Sequence, residues 1–208
     1  MYVPTVFRNE DRDLAWSLIE TIRFGSLVSS GDVPFVSHVP FCLDRDRGGR
    51  TVLIGHMARG NAHWKSLDPG SRVLVTFVGP NSYISPSWYA SSPRAPTWNY
   101  VGIHLVGTIE IVHDRNALDT MVRRLSREME APDSGWSIDG IDPGYVDHLL
   151  PGIVGFEITV SDVDMQVRLS QQNDDNDRRQ VRQALADGGL RQRQVAEIMD
   201  RIVPVDRN

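Results

Sequence analysis

At 208 residues, with 40% hydrophobic and 24% charged side chains, the chain has the length and composition of a folded globular protein, and neither a disordered nor a membrane-spanning class is suggested. The net charge of −5 offers no clustered positive field for nucleic acid, and the lone cysteine, Cys42, rules out an intrachain disulfide or a cysteine-based zinc site. No apolar run approaches the roughly 18 to 20 residues that cross a bilayer, and "MYVPTVFRNEDRDLAW" lacks the basic-then-apolar order of a secretory leader, so the expected location is the cytoplasm.

In chain order, residues 10–22 place Leu14, Leu18 and Ile22 on one stripe, with Ala15 and Ile19 beside them, as an amphipathic helix requires. Segments 24–30, 34–43, 51–57, 72–79 and 97–112 are rich in β-branched and aromatic residues and are parted by Gly, Pro, Asp and Asn turns, the pattern of strands. Within 97–112, Val101, Ile103, Leu105, Ile109 and Ile111 share one face, while His104, Thr108 and Glu110 take the other. A second helix is predicted over 114–129, capped by Asp114, with Leu118, Met121, Val122, Leu125 and Met129 on its apolar face. A loop over 131–144, a short helix near Tyr145–Leu150 and a strand over 152–163 follow, and "MQVRLS" reads as one more strand. Short strands without a βαβ rhythm predict an α+β, mainly antiparallel fold, a barrel or sheet with peripheral helices. We divide the chain into a body, 1–173, and a helical tail, 174–208.

The tail reads as two helices broken at "DGG", the outline of a helix-turn-helix. Its seven acidic residues balance its seven arginines, so docking or packing fits better than groove reading and no nucleic-acid partner is expected. The stretch "GHMARGNAHWKSL", 55–67, carries His56 and His63. Read as a helix start with Asn61 as N-cap, it puts His63 in a first turn whose positive dipole end disfavours imidazolium. A neutral imidazole suits a metal, the same amides with Arg59 and Lys65 suit a phosphate or carboxylate, and a histidine at such a turn also serves structure alone. His38, in "VSHVP", faces a ligand or fills a core. Tyr83, Trp88, Tyr89, Trp98 and Tyr100 fall within 18 residues and either wall a planar ring or pack inside.

"MYVP", "SHVPF", "GHMARGNAHW", "GPNSYISPSWY", "PTWNY", "GIVGF" and "RLSQ" together, in order and spacing, resemble the PaiB-like family of FMN-binding regulators over about residues 1–185. The resemblance implies a split β-barrel and a homodimer with its cofactor between subunits. It departs from the flavin type at "VRLSQQND", which lacks the arginine after Ser-Gln-Asn, and at "NAHW", where His63 stands in place of a residue that cannot bind metal. Those departures are similar to the branch containing haem-dependent piperazate synthases. That branch implies haem b, with FMN as the alternative, and an amino-acid substrate, delta-N-hydroxy-L-ornithine, closed to L-piperazate by joining its two nitrogens with loss of water. Transferred residue by residue, it implies His63 as the iron ligand and Met57, Arg59, Asn61, Trp64, Trp98, Tyr100 and Arg168 as the remaining cofactor contacts. His38, His56 and His104 become the candidates for proton transfer.

Overall fold

The computed structural model describes residues 1–205, so Asp206 and Arg207 of the tail charge count lie outside the described residues. The chain forms two compact units: a larger one, 16–77 with 104–163, and a smaller one, 1–15 with 78–103 and the segment from 164 onward.

The larger unit holds most of the antiparallel sheet. After α1 (Arg12–Ile22) come β2 (Phe24–Ser29), β3 (Phe35–Pro40), β4 (Cys42–Asp44) and β5 (Val52–Ala58), preceded in the chain by the two-residue β1 (Arg8–Asn9). Three long strands, β6 (Arg72–Ile84), β7 (Thr97–Val112) and β8 (Ile153–Arg168), run on from one unit into the other, and the strand order is β3-β2-β6-β7-β8-β5-β4. The registers Leu27↔Ser37, Leu27↔Val75 and Ile54↔Glu157 fix which faces turn inward. Phe41, Phe77 and Phe156 form the centre of this core, with ring centroids 5.4 and 5.8 Å apart around Phe41. Two glycines make room for them. A Cβ at Gly25 would stand 2.7 Å from Phe77, and one at Gly55 would stand 2.5 Å from Phe156. The close approach that the glycine before His56 permits is therefore used by an aromatic ring.

α1 closes on Arg23, whose left-handed φ of 58° lets its amide reach Ile19 O at 2.8 Å. The segment 34–43, expected as one strand, is two. Pro40 has no amide proton to extend the ladder, and Phe41 turns into the core with its N–H on Arg23 O at 2.9 Å. α2 (Arg115–Met129) begins as expected, Asp114 accepting from the Ala117 amide at 2.9 Å. It buries Leu118 and Met121, but Met129, placed on the apolar face by its spacing, is exposed at the last helical position. The short α3 (Pro143–Leu149) is capped by Asp142.

In the smaller unit, β1 pairs with β8 through Arg8↔Gln166 and Asn9↔Met165. The predicted break before "MQVRLS" does not occur, and β8 continues to Arg168. β6 likewise outruns its expected end at Gly79, because buried Ser82 and Ile84 keep alternating with exposed Tyr83. The tail forms the hairpin α4 (Asp175–Ala186) and α5 (Leu190–Ile202), whose Val181, Leu185, Val195, Ile198 and Met199 are buried. Among the described residues no helix is long and apolar enough to cross a membrane.

Candidate functional site

In the larger unit the pairing of β2 with β3 sets Ser29 opposite Phe35 and Ser37 opposite Leu27, so both serines point to the buried face. His63 enters between them and is only 1% exposed. Its Nδ1 lies 2.9 Å from Ser37 Oγ and its Nε2 lies 3.0 Å from Ser29 Oγ. The Phe35 ring stacks on the imidazole at 5.5 Å and 18°. Asn61 completes the group: its Oδ1 accepts from the His63 amide at 3.0 Å, and its Nδ2 donates to Ser37 Oγ at 2.9 Å. Because Oδ1 is held by the backbone N–H, the amide orientation of Asn61 is assigned by its own bonds. Ser37 then accepts from Asn61 and has its proton free for His63 Nδ1. A relay running in one direction is cooperatively strengthened, which favours the tautomer that keeps its proton on Nε2 and donates it to Ser29.

The expected helix start is a four-residue 3-10 turn, His63–Ser66. So short a turn has no macrodipole to speak of, and burial, not the dipole, lowers the His63 pKa and keeps the ring neutral. Asn61, expected as the N-cap, sits one residue before it: Ala62 holds the N-cap position without a side-chain bond, and Asn61 accepts from the His63 amide from behind it. By doing so it consumes the His63 amide, while the Lys65 amide is taken by Ala62 O at 3.1 Å. The phosphate cradle proposed for these amides is thereby filled from within.

The other residues singled out in this unit take separate places. Arg59 donates from Nε to Pro151 O at 2.7 Å and from a terminal nitrogen to Ile153 O at 2.8 Å, and its amide reaches Gly152 O. It ties the end of β5 to the start of β8. Trp64 Nε1 donates to Arg59 O at 2.8 Å, and Met57 is buried. His38 lies on the face of β3 opposite Ser37, exposed, with Nδ1 2.9 Å from Ser26 Oγ. His56 is half-buried on β5, and burial lowers its pKa; His104 is half-buried on β7. The ring partners of His63 are the two serines and Phe35, residue types with no chemical signature of their own in the sequence.

Trp98, Tyr100 and Arg168 belong to the smaller unit. Trp98 is exposed and meets Tyr83 edge to face at 6.4 Å, so this pair is not core. Arg168 lies over the Phe7 ring at 4.8 Å and donates to Thr97 Oγ1 at 2.8 Å, yet its buried Nε has no partner among the described residues. Beyond it the chain turns at Ser170, whose φ is 66° and whose hydroxyl bonds the Asn99 side chain at 3.0 and 3.2 Å. Asp177 is buried and unforeseen: it accepts from the Ser91 amide at 2.9 Å, from Ser91 Oγ at 2.6 Å and from the Arg94 guanidinium. Burial opposes its charge, and these donors more than offset that and hold its pKa below the ordinary carboxylate value. Among the described residues no three His, Cys, Asp or Glu side chains gather as a metal site.

The profile of the family described as "Putative FMN-binding domain" matches residues 1–162. The chain belongs to this family. The chain is also similar to "Protease synthase and sporulation protein PAI 2" of Bacillus subtilis (strain 168), 30% identical over 202 residues, covering 96% of this chain and 97% of the relative. Among solved structures, the flavocytochrome Anf3 from Azotobacter vinelandii superposes with a TM-score of 0.60 at 15% identity, covering 78% of this chain and 69% of that one. The FAD and heme binding protein from Mycobacterium smegmatis gives 0.53 at 18% identity, covering 77% and 73%. At such identities the likeness is one of fold, and the fold is the split β-barrel, mainly antiparallel with peripheral helices.

Proposed function

We propose that this protein binds FMN, as a PaiB-like regulator or flavin reductase of the FMN-binding-domain family. The observation that carries the reading is the family match over residues 1–162. Among the residues expected at the cofactor, one side chain fits an anion: the buried Nε of Arg168, like that of Arg178, has no hydrogen-bond partner among the described residues, and a buried donor left unsatisfied costs about 1–3 kcal/mol. Arg168 is therefore the residue that would hold the phosphate, with Trp98 and Tyr100 as aromatic neighbours in the same unit. Arg59, committed to carbonyls, is not available for that task. Bound FMN would supply one- or two-electron transfer. The proposal includes a homodimer and a cytoplasmic location, where the single thiol stays reduced.

A second reading is a haem enzyme resembling the piperazate synthases, with His63 on the iron and delta-N-hydroxy-L-ornithine as substrate. One observation favours it: burial keeps the His63 imidazole neutral, as an axial ligand must be. The residues as arranged do not fit the group, since both ring nitrogens are engaged by serine hydroxyls and the relay places the proton on Nε2. Purified protein titrated with FMN, and separately with haem, tests the two readings: stoichiometric retention of flavin with quenched fluorescence, lost in Arg168→Ala, supports the first. A Soret band lost in His63→Ala would replace it with the second.

A further inference from the structure

The C-terminal hairpin builds a wall that lies wholly beyond the residues matched by the family profile. The first turn of α5 and the end of β6 enclose an open groove of about 500 Å³, inside the smaller unit. Its aromatic sides are Tyr83 and Trp98, 45% and 53% exposed, set at 73° to each other, and Leu190, 66% exposed, closes it. Its one charged lining residue is Arg191, which is exposed and has no ion-pair partner among the described residues. Two other arginines of the hairpin are held by carboxylates: Arg178 by Asp175 and Arg182 by Asp200.

We infer that this groove binds a small planar aromatic carboxylate, as an effector or substrate distinct from the flavin. Two perpendicular rings offer a flat ligand one face and one edge, the arrangement aromatic groups prefer. The volume lies in the range of small-molecule sites. A single unpaired guanidinium selects an anion and matches a carboxylate with two parallel N–H donors. Neutral aromatic walls and one cation leave a positive groove, so a neutral ring should bind less well and a cationic one worse still. Trp98 is shared with the flavin reading, whereas Arg191 and Leu190 take no part in it, so Arg191→Gln tests the groove separately from the flavin.

The test is calorimetric titration of the full-length protein, with and without saturating FMN, using indole-3-acetate and its neutral amide, indole-3-acetamide. The carboxylate should bind saturably at one site, at least about tenfold more tightly than the amide, since one charge-assisted hydrogen bond to a guanidinium commonly contributes that much. Arg191→Gln should erase the preference by weakening the carboxylate about tenfold while leaving the amide unchanged, and Trp98→Ala should weaken both. Both positions are exposed, so neither variant removes core. Equal affinity for acid and amide, no effect of Arg191→Gln, or no saturable binding at millimolar ligand would overturn the inference. So would loss of the carboxylate's binding on adding FMN, which would make the groove the flavin's own. Failure to bind FMN at all would overturn only the flavin reading.

Discussion

Replacing Ser29 by alanine removes one oxygen from the relay around His63, and the structure specifies what that does. Nε2 loses its partner at 3.0 Å, in a ring only 1% exposed where water does not replace it. A buried donor left unsatisfied costs about 1–3 kcal/mol. Taking about 2 kcal/mol, and the roughly 2–4 °C per kcal/mol typical of chains this long, the melting temperature should fall by about 4–8 °C. Thermal and urea denaturation of Ser29→Ala, His63→Phe and the double variant measure it. In the double variant donor and acceptor go together, so its loss should fall short of the sum of the two singles by at least about 0.5 kcal/mol. A Ser29→Ala protein within about 0.5 kcal/mol of the parent, or strictly additive losses, would refute the relay. The same variant frees Nε2 of its hydroxyl partner; if haem binds through that nitrogen, Ser29→Ala should tighten haem binding while FMN affinity stays unchanged.

Three further outcomes follow from packing and charge. Gly107→Ala should be strongly destabilised, by about 1–3 kcal/mol or more, because its Cβ would stand 2.4 Å from Thr159 O, a backbone atom that cannot rotate away; a denaturation midpoint equal to the parent's would contradict this. Cys42, whose thiol is pushed up to about 12 by burial and then by the neighbouring Glu128 carboxylate, should resist alkylation at about pH 8 in the native protein and react on unfolding, as followed by mass spectrometry. His56 and His63 both have pKa values lowered from 6.5 by burial. Below about pH 6.5 the unfolded chain takes up protons that the folded one refuses, so stability should be full above that value and fall as pH drops toward the depressed folded pKa values. Unfolding free energies measured from about pH 7.5 to about pH 5.5 should decline, and His56→Gln should flatten the slope; a flat parent profile would count against burial as the cause.

Much of the fold was legible because its signals are local. The alternation of Val101, Ile103, Leu105 and Ile109 is the buried face of β7, and Asp114 caps α2 where its position before an apolar stripe predicted. The break of 34–43 was half-visible: Pro40 is a breaker, but only the pairing with β2 shows that the ladder stops there and Phe41 turns inward. The site was harder. His63 was found, but its partners sit 26 and 34 residues earlier in the chain, and a serine on a strand carries no signal until the register places it. Parity in "VSHVP" did hold a clue, because a strand with Val39 buried must bury Ser37 and expose His38. Reading the histidine and skipping the serine inverted the importance of the two. Asp177 was unreadable in the same way, since Ser91 and Arg94 reach it from more than 80 residues away.

We propose a flavin cofactor anchored through Arg168, with His63 a hydrogen-bonded core residue. The most direct measurement is the optical spectrum of the purified protein after reconstitution with equimolar FMN and haem together, followed by gel filtration. Retained isoalloxazine absorption at one flavin per chain, unchanged in His63→Ala samples that remain folded, is the predicted result. A Soret band in place of the flavin bands, abolished by the same substitution, would contradict it.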